Sequence, residues 1–519
     1  MNLIAVLALI LAAAPALAGP PKDIALEVVG TYATGVYAGG GAEISAHDPA
    51  TQRLFTVNAA TSSIDILSIA NPAAPSLVGS ISLAGLGAQA NSVAWKNGVL
   101  AAAIEASPKQ SPGTVAFFDA NGNLLSAVTA CALPDMVTWT PNGRFALAAC
   151  EGEPNDAYTV DPEGGIAIID ASAGAANVTQ ANVRIAGFTQ YNGNVPAGVR
   201  VFGPNATAAQ DFEPEYIATS HDSQTAWVTL QENNAIAIVD IGSASVTSVV
   251  ALGSKNHLDA GKALDPSDRD GPSIAIANWP VLGMYLPDAI DSFRINGTTY
   301  LVTANEGDSR AYPGFDEERR IGATNVVLDP TVFPNAATLK SSARLGRLKI
   351  TATRGDIDND GDFDQLHVFG ARSMSIWSAS GALVADTGDE LERLTALTGV
   401  FNSDNANNNT FDQRSDDKGP EPEAVVVGKA FGRSYAFLGL ERIGGVVVYD
   451  VEDPAAPRFV TYLNNRNFAG NAAAGTAGDL GPEGILYIKA EDSPTGDNLV
   501  VTSNEISGTV TILRVVKVN

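Results

Sequence analysis

The sequence predicts an all-β protein, a seven-bladed β-propeller with long loop insertions on one face. Three observations predict this fold. A unit of short apolar strands recurs seven times, polar turns separate the strands, and no repeat keeps a helical period. A small sheet can bury both of its faces only when another sheet packs on each side. Repeats of this kind therefore favour sheets stacked radially around an axis over the alternative, a β-sandwich with appended sheets.

Each repeat contains an innermost strand that begins near an acidic residue, a second strand that ends near a glutamate, and a third strand that often ends near an aspartate. The second strands are predicted at 54–57, 99–105, 145–151, 226–232, 300–306, 435–441 and 499–505. Fourth strands follow most copies, but the last copy stops after three. We therefore expect the spare strand at 25–31 to pair with 508–513 and close the ring.

The first eighteen residues are typical of a signal peptide, with an apolar run and cleavage after Ala18. The remainder, 19–519, is predicted to form one propeller domain, with 307–372 inserted into the fifth blade. No later apolar run approaches the ~18 residues that cross a bilayer. We expect a secreted or periplasmic monomer without a membrane span.

The chain carries 31 basic and 57 acidic residues, a net charge of −26. This charge disfavours binding to nucleic acid and to anionic membranes, and it suits Ca²⁺ and other divalent cations. The two cysteines, Cys131 and Cys150, flank a predicted hairpin. After export they can form a disulfide, with a pair of free buried thiols as the alternative.

Strand direction places most of the repeated acids on one face. The start of a first strand and the turn after the second strand share one face of a blade, because adjacent strands are antiparallel. We call the resulting set the acidic mouth. It comprises Glu43, Glu105, Asp135, Glu151, Glu215, Glu232, Asp288, Glu306, Asp308, Glu423, Glu441, Glu483 and Glu505, with Asn91 at the equivalent position of the second repeat.

Like charges that lie this close raise one another's pKa or bind cations, so we expect a divalent metal at the acidic mouth. The alternative is that repeat duplication copied these residues without a role for each. The segments 157–164, 255–287 and 402–422 are predicted to be long polar loops that reach the same face.

The segment 356–364 is the sharpest local motif. Aspartates stand at alternate positions with Gly361 at the sixth, a pattern that wraps Ca²⁺ with hard oxygen ligands. The predicted ligands are Asp356, Asp358, Asp360, Asp362, which would offer its backbone carbonyl, and Asp364. It resembles the calcium loops of integrin-type propellers, because His367 stands where an EF-hand has glutamate. An acidic loop without a metal is the alternative.

No motif for a nucleophile, a zinc site or a nucleotide-binding loop occurs, and the four histidines lack metal-ligand spacing. Four basic residues lie near the acidic face, where they could hold an anion or simply pair with acids: Arg310, Arg372, Lys418 and Arg442. The sequence supports two functions. One is a calcium-binding propeller that binds a partner, mineral or surface polymer, and the other is a metal-dependent phosphohydrolase at the mouth.

The chain resembles the choice-of-anchor I family, which includes proteins like the mesenchyme-specific cell-surface glycoproteins. The matching stretches begin at Leu133-Pro134-Asp135, Glu151-Gly152-Glu153, Glu213-Pro214-Glu215, Ala304-Asn305-Glu306, Ser415-Asp416-Asp417 and Gly439-Leu440-Glu441. The resemblance spans nearly all of the chain after residue 18. It implies a secreted propeller, and some members carry an alkaline-phosphatase-like label.

Overall fold

Short strands joined by tight turns make up most of the chain. The computed structural model describes residues 23–405 and 410–518, so the predicted signal peptide lies outside the described residues. Within them the strands form seven four-stranded antiparallel sheets, each of which we call a blade.

The blades are numbered along the chain, with strands given from the innermost outward. Blade 1 contains Ser45–Asp48, Arg53–Asn58, Ser63–Ser68 and Ser76–Ser82. Blade 2 contains Ala90–Lys96, Val99–Ile104, Pro112–Asp119 and Leu124–Ala132. Blade 3 contains Pro134–Trp139, Phe145–Cys150, Gly165–Asp170 and Val183–Gly187. Blade 4 contains Pro214–Thr219, Thr225–Leu230, Ala235–Asp240 and Ser245–Ala251.

The later blades follow the same plan. Blade 5 contains Ile290–Ile295, Thr298–Asn305, Ser373–Ser378 and Leu383–Asp386. Blade 6 contains Pro422–Ala430, Arg433–Leu440, Val446–Asp450 and Arg458–Leu463. Blade 7 contains Pro482–Ile488, Leu499–Asn504, Thr509–Lys517 and, as its outermost strand, Ile24–Ala33.

The pairing of the chain's two ends completes blade 7. Ile24–Ala33 runs antiparallel to Thr509–Lys517, with Thr31 opposite Thr511. The closure predicted from the missing fourth strand is thus confirmed. The strand pairs residues almost 500 positions apart in sequence and covers the edge that Thr509–Lys517 would otherwise expose.

Burial within a blade follows its radial position. The second strand of blade 3, Phe145–Cys150, is buried at every residue, whereas the outer strand of blade 1, Ser76–Ser82, is mostly exposed. Neighbouring blades cover both faces of the inner strands of a blade. The sequences of these strands are therefore nearly continuous runs of apolar residues: Val, Ile, Leu, Phe and Ala.

The innermost strands surround one central channel. Each contacts the innermost strands of both neighbouring blades, and blade 7 contacts blade 1 in the same way. A cavity of about 710 Å³ in the channel is lined by residues from all seven blades, among them Ala46, Val93, Val137, Ile217, Ile290, Val425 and Ile485. Its lining also includes polar and charged residues such as Asp48, Lys96 and Asp291, and the acids of the mouth precede it at the starts of the strands.

A disulfide joins two neighbouring blades. Cys131 lies in the outer strand of blade 2 and Cys150 ends the second strand of blade 3, with their Cα atoms 5.7 Å apart. The bond therefore links two blades, whereas the sequence placed both cysteines around a single hairpin.

The insertions predicted as polar loops fold further than the sequence indicated. Part of 254–368 forms a five-stranded sheet, whose strands in spatial order are Ser254–Asn256, Leu282–Met284, His367–Val368, Lys349–Thr351 and Glu318–Arg320. A hairpin of Ala311–Tyr312 and Phe315–Asp316 contacts the loop that follows the second strand of blade 3: Gly314 N donates to the carbonyl oxygen of Asp156 at 2.7 Å, and the Tyr312 hydroxyl donates to Glu153 at 2.8 Å. Leu264, Ile350, Leu366 and other apolar residues give the insertion its own core.

Helical segments are short and lie in the connections. The α-helices are Ala208–Asp211, Ala336–Leu339 and Glu390–Ala396. The 3₁₀ turns are Ala59–Thr61, Ala175–Asn177, Gln180–Asn182, Thr189–Tyr191 and Leu345–Arg347. No helix of the described residues is long and apolar enough to span a membrane.

Candidate metal centre at the acidic mouth

A β-bulge at the start of the innermost strands positions the first row of acids. In blade 3, Pro134 is opposite Cys150 and Val137 is opposite Ala148, so one extra residue stands beside Asp135. An extra residue turns the strand locally and re-aims the side chain at the bulge. The same irregularity holds the equivalent acids of blades 4, 6 and 7 and the asparagine of blade 2: Glu215, Glu423, Glu483 and Asn91.

The acids of different blades lie close enough to affect one another. Burial, followed by the charges of Glu505 and Asp135, raises the pKa of Glu43 to about 8. Burial, Glu505 and Glu441 likewise raise the pKa of Glu483 well above its ordinary value. These interactions run between blades and across the channel, so the structure brings the acids of the repeats to one mouth.

In blades 3 and 4 three carboxylates form a cluster. Single oxygen atoms of Asp135, Glu151 and Glu215 all lie within 4.8 Å of one another. Burial, followed by Asp135 and further acids, raises the pKa of Glu151 well above its ordinary value. Among the described residues no lysine or arginine forms an ion pair with these three carboxylates. We call them the open sector.

A fourth carboxylate borders the open sector. Glu232 is 8% exposed, and its Oε2 atom is buried without a hydrogen-bond partner. Burial raises the pKa of this side chain to about 7, against the opposing effect of Arg310. Its charge in turn raises the pKa values of Glu151 and Glu215, so it lies beside the cluster.

The equivalent region of blades 5 and 6 already contains its own cations. Oxygen atoms of Glu306, Glu421 and Glu441 lie within 4.8 Å of one another. Lys418 Nζ pairs with Glu306, and Arg442 Nε lies 3.0 Å from both Glu421 and Glu441. We call this group the closed sector, because protein cations neutralise its carboxylates.

The four basic residues considered for anion binding are paired with acids. Arg310 is 1% exposed and pairs with Asp211 and Glu213, and Arg372 pairs with buried Glu392. Lys418 and Arg442 belong to the closed sector. Each of these four side chains therefore takes part in an ion pair, which the sequence left open as the alternative to anion binding.

The 356–364 loop brings its first three aspartates together. Oxygens of Asp356, Asp358 and Asp360 lie within 4.8 Å of one another. Backbone N–H groups of the turn donate to them: Gly361 N lies 3.1 Å from Asp356 Oδ2, and Asp360 N lies 3.3 Å from Asp358 Oδ1. Gly361 has φ +100°, a conformation that favours glycine.

The last two predicted ligands of the loop group differently. Asp362 and Asp364 have oxygens within 4.8 Å of Asp329, a residue that the sequence analysis did not select. Asp364 Oδ2 also accepts from Ile357 N at 2.7 Å, which ties the end of the loop to its start. The loop thus contains two adjacent carboxylate groups.

Sequence reasoning missed two buried acids that pair with the basic residues near the mouth. Glu213 and Glu421 each stand two residues before a mouth carboxylate in the repeated order Glu-Pro-Glu. Glu421 is completely buried, and Arg414, Lys418 and Arg442 pair with it. The repeated tripeptide was the signal that could have identified both.

Fold and site together define a β-propeller with a carboxylate-lined channel mouth. Residues 43–454, most of the chain, match the model of the choice-of-anchor I domain. The chain belongs to the choice-of-anchor I family.

Two curated relatives share part of this sequence. Gigasin-3a of Magallana gigas is 28% identical over 191 residues, which cover 34% of this chain and 67% of the relative. A mesenchyme-specific cell surface glycoprotein of Strongylocentrotus purpuratus is 28% identical over 283 residues, 48% of this chain. The match spans 36% of the length of that glycoprotein.

Solved structures that are similar in outline include hydrazine synthase of Kuenenia stuttgartiensis, with a TM-score of 0.47, 13% identity and coverage of 92% of this chain and 96% of that chain. A streptogramin B lyase has a TM-score of 0.46 and 9% identity, with coverage of 95% and 98%. A β-propeller domain of Myceliophteria thermophila has a TM-score of 0.45 and 9% identity, with coverage of 96% and 100%.

Proposed function

We propose that this protein is an extracellular, cation-binding β-propeller. A divalent cation binds the open sector of the acidic mouth, and Ca²⁺ binds the 356–364 loop. Through the cation at the mouth the protein binds an anionic partner, such as a mineral or a surface polymer.

The contrast between the two sectors carries this proposal. Both place three carboxylates within 4.8 Å, yet the closed sector has Lys418 and Arg442 among its acids and the open sector has no paired cation in the described chain. Two unit charges at 4 Å repel by about 4 kcal/mol at an effective dielectric constant near 20. Either protonation of a carboxylate or binding of a cation relieves this repulsion. At neutral pH we propose that a bound cation does so.

The donor atoms favour a hard metal ion. Asp135, Glu151, Glu215 and Glu232 offer only carboxylate oxygens, the ligands that Ca²⁺, Mg²⁺ and Mn²⁺ prefer. Such ions take six or more ligands, so a cation on these side chains retains coordination positions for solvent or for an oxygen of a partner.

Three observations support an extracellular setting. The first eighteen residues are typical of a signal peptide. Cys131 and Cys150 form a disulfide, which persists in oxidising compartments. A cell surface glycoprotein is among the relatives.

The test replaces one carboxylate in each sector. Glu151 and Glu441 occupy the same turn in blades 3 and 6, so Glu151→Gln and Glu441→Gln form a matched pair. We expect Glu151→Gln to weaken Ca²⁺ or Mn²⁺ binding at least tenfold by titration calorimetry, and Glu441→Gln to leave it within about twofold. Equal affinities of wild type and Glu151→Gln for both metals would contradict the proposal.

A metal-dependent phosphohydrolase is the second candidate, and one contact favours it. Lys109 is partly exposed and pairs with Glu153, whose charge raises the pKa values of Asp135 and Glu151. A metal ion in the open sector and the ammonium group of Lys109 beside it would together provide two positive charges for a phosphate group. Assays of phosphate esters with Ca²⁺, with Mn²⁺ and after chelation, on wild type and Glu151→Gln, separate hydrolysis from binding alone.

A further inference from the structure

A surface cavity of about 430 Å³ lies where three segments of the insertions meet. Four arginines line it: Arg269 from the loop 255–287, Arg320 from the five-stranded insertion sheet, Arg347 from a 3₁₀ turn and Arg414 from the loop 402–422. No described residue of this lining belongs to the acidic mouth or to the 356–364 loop. On a chain of net charge −26, such a group of arginines forms a basic surface within an acidic one.

Three of these arginines share two aspartates in one chain of ion pairs. At its centre, Arg347 Nε lies 2.7 Å from Asp268 Oδ1, and Arg347 Nη2 lies 2.7 Å from Asp416 Oδ2. Arg269 Nε lies 3.1 Å from Asp268 Oδ2, and Arg320 Nη1 lies 2.5 Å from Asp416 Oδ2. Within the described residues these arginines pair with no other acid, so three arginines against two aspartates leave one positive charge in excess.

Each arginine of the cavity keeps N–H groups that no atom of the described chain accepts. The free nitrogens are Nη1 of Arg347, Nη1 of Arg414, Nε and Nη2 of Arg320, and both terminal nitrogens of Arg269. None of these nitrogens is buried. A crosslink between the segments uses only the bonded N–H groups, so the others are available to a ligand.

Carboxylates hold the guanidinium groups of the cavity in place. Buried Asp416 accepts from both Arg320 and Arg347, and Arg320 also donates to the carbonyl oxygen of Arg347. Arg414 is fixed from the opposite side, since its Nε lies 2.6 Å from Glu421 of the closed sector. A guanidinium group that is fixed along one edge presents its other edge in a defined direction, which reduces the entropy lost when an anion binds.

We propose that this cavity binds a sulfate or phosphate group. Such a group offers more acceptor oxygens than a carboxylate, and the free N–H groups of four arginines can donate to all of them. The cavity is larger than a single oxyanion, so there is room for a molecule that carries the group, such as a sugar. The half-buried ring of Phe411, which also lines the cavity, offers apolar surface to such a carrier.

This binding differs from the cation-dependent binding proposed above. There a metal ion bridges protein carboxylates and an anionic partner, whereas here the N–H groups of arginine bind the anion directly. Removal of metal ions should therefore abolish the first kind of binding and leave the second. Measurements on the metal-free protein thus separate the two proposals.

The test uses the full-length protein, freed of metal ions with chelator and dialysed into metal-free buffer near neutral pH. Titration calorimetry at constant ionic strength measures the binding of inorganic sulfate, inorganic phosphate, acetate and a sulfated disaccharide. Arg269→Gln and Arg320→Gln each remove one guanidinium group from the cavity. We expect each variant to bind sulfate or phosphate groups about tenfold more weakly than wild type, because a hydrogen bond to a charged group is lost.

The matched control is Arg319→Gln. Successive side chains of a strand point to opposite faces, so Arg319 and Arg320 of the strand Glu318–Arg320 point to opposite faces of the sheet, and Arg319 does not line the cavity. This variant carries the same change in charge and should bind within about twofold of wild type. If Arg320→Gln does not fold, Arg269→Gln decides, because the side chain of Arg269 is 63% exposed and makes a single ion pair.

Saturable binding that both cavity variants weaken and Arg319→Gln does not weaken supports the proposal. Equal affinities for the inorganic ions and the disaccharide then identify a free oxyanion as the ligand, whereas tighter binding of the disaccharide identifies a sulfate or phosphate group carried by a sugar. The proposal is overturned if wild type binds none of these three probes at millimolar concentrations. It is also overturned if acetate binds as tightly as sulfate, or if Arg319→Gln weakens binding as much as Arg320→Gln.

Discussion

At the scale of single residues, the pairing of acids with bases determines what each carboxylate can do. Repetition supplies a carboxylate at equivalent positions of most blades, but the bases differ from blade to blade: Lys418 comes from an insertion and Arg442 from the turn after Glu441. Glu441 lies beside Arg442, whereas its counterpart Glu151 has no ion pair in the described chain. Identical repeat positions therefore acquire different chemistry.

Arg310 provides a test of this view. Its side chain is buried against Asp211 and Glu213, and its guanidinium carbon lies 4.5 Å from the ring centre of Phe202. Arg310→Met removes the ion-pair partner of two buried carboxylates, Asp211 and Glu213, so we expect a loss of about 3–5 kcal/mol of unfolding free energy. Urea unfolding measures it.

The control is Arg442→Met, whose side chain is 27% exposed and which should cost clearly less. A loss below about 1 kcal/mol for Arg310→Met would show that the ion pairs around it contribute little. Such a result would also remove the reason to regard Arg310 as a structural residue.

Residue positions at the mouth were predictable because strand direction fixes them. Once the repeats were aligned, the face occupied by Asp135 or Glu423 followed from antiparallel pairing. The partners were not predictable, because Lys418 reaches Glu306 from 112 residues away in sequence.

At the scale of elements, the strands of the blades can be recognised from local sequence patterns, whereas the strands of the insertions cannot. Strands of six or seven residues with short turns are visible in the sequence, as in Thr225–Leu230 and Ala235–Asp240. The insertion sheet uses strands of two or three residues, and Leu282–Met284 pairs in parallel with His367–Val368. Strands this short carry no periodic signal.

The 356–364 loop gives the element-scale prediction. Its clustered aspartates repel one another without a cation, and Ca²⁺ converts this repulsion into coordination. Ca²⁺ should therefore raise the melting temperature of wild type by mass action. For Asp360→Ala we expect a smaller increase in melting temperature, because the loop no longer contributes to it. We also expect protease to cleave the insertion at 307–372 more readily in this variant.

The comparison needs a matched acid outside the loop. Asp316→Ala is suitable, since Asp316 is exposed in the hairpin of the same insertion. It should keep the full response to Ca²⁺. An equal gain in melting temperature for wild type and Asp360→Ala, with unchanged proteolysis, would assign the effect of Ca²⁺ to other sites.

At the scale of the whole molecule, ring closure was predictable and the arrangement of the insertions was not. The unfinished last repeat indicated that a strand from the other end must complete it, and Ile24–Ala33 does so. The insertion sheet instead depends on a core of residues such as Leu264 and Leu366, about 100 positions apart. Contacts of that kind leave no repeated pattern in the sequence.

The many raised carboxyl pKa values give a prediction for the entire protein. Burial comes first among the causes for Glu43, Asp135 and Glu441, whose pKa values rise to about 8, 7 and 8. The unfolded chain releases these protons near pH 4, so between about pH 4.5 and pH 8 the folded state binds more protons. Stability of the metal-free protein must therefore fall as pH rises through this window.

Ca²⁺ binding should reverse that trend, because deprotonated carboxylates are its ligands and protons compete with it. We expect the melting temperature in chelator to fall from about pH 5 to about pH 8, and the increase caused by Ca²⁺ to be larger at the higher pH. Carboxylates with lowered pKa titrate below about pH 4 and do not oppose this trend. The lowered pKa values of His47, His257 and His367 oppose it below about pH 6.5, but the carboxyl groups with raised pKa outnumber these three. Thermal unfolding at several pH values with and without Ca²⁺ measures both quantities. A metal-free melting temperature that rises across the window, or a Ca²⁺ effect that is larger near pH 5, would show that the buried acids are not coupled to protons and cations in this way.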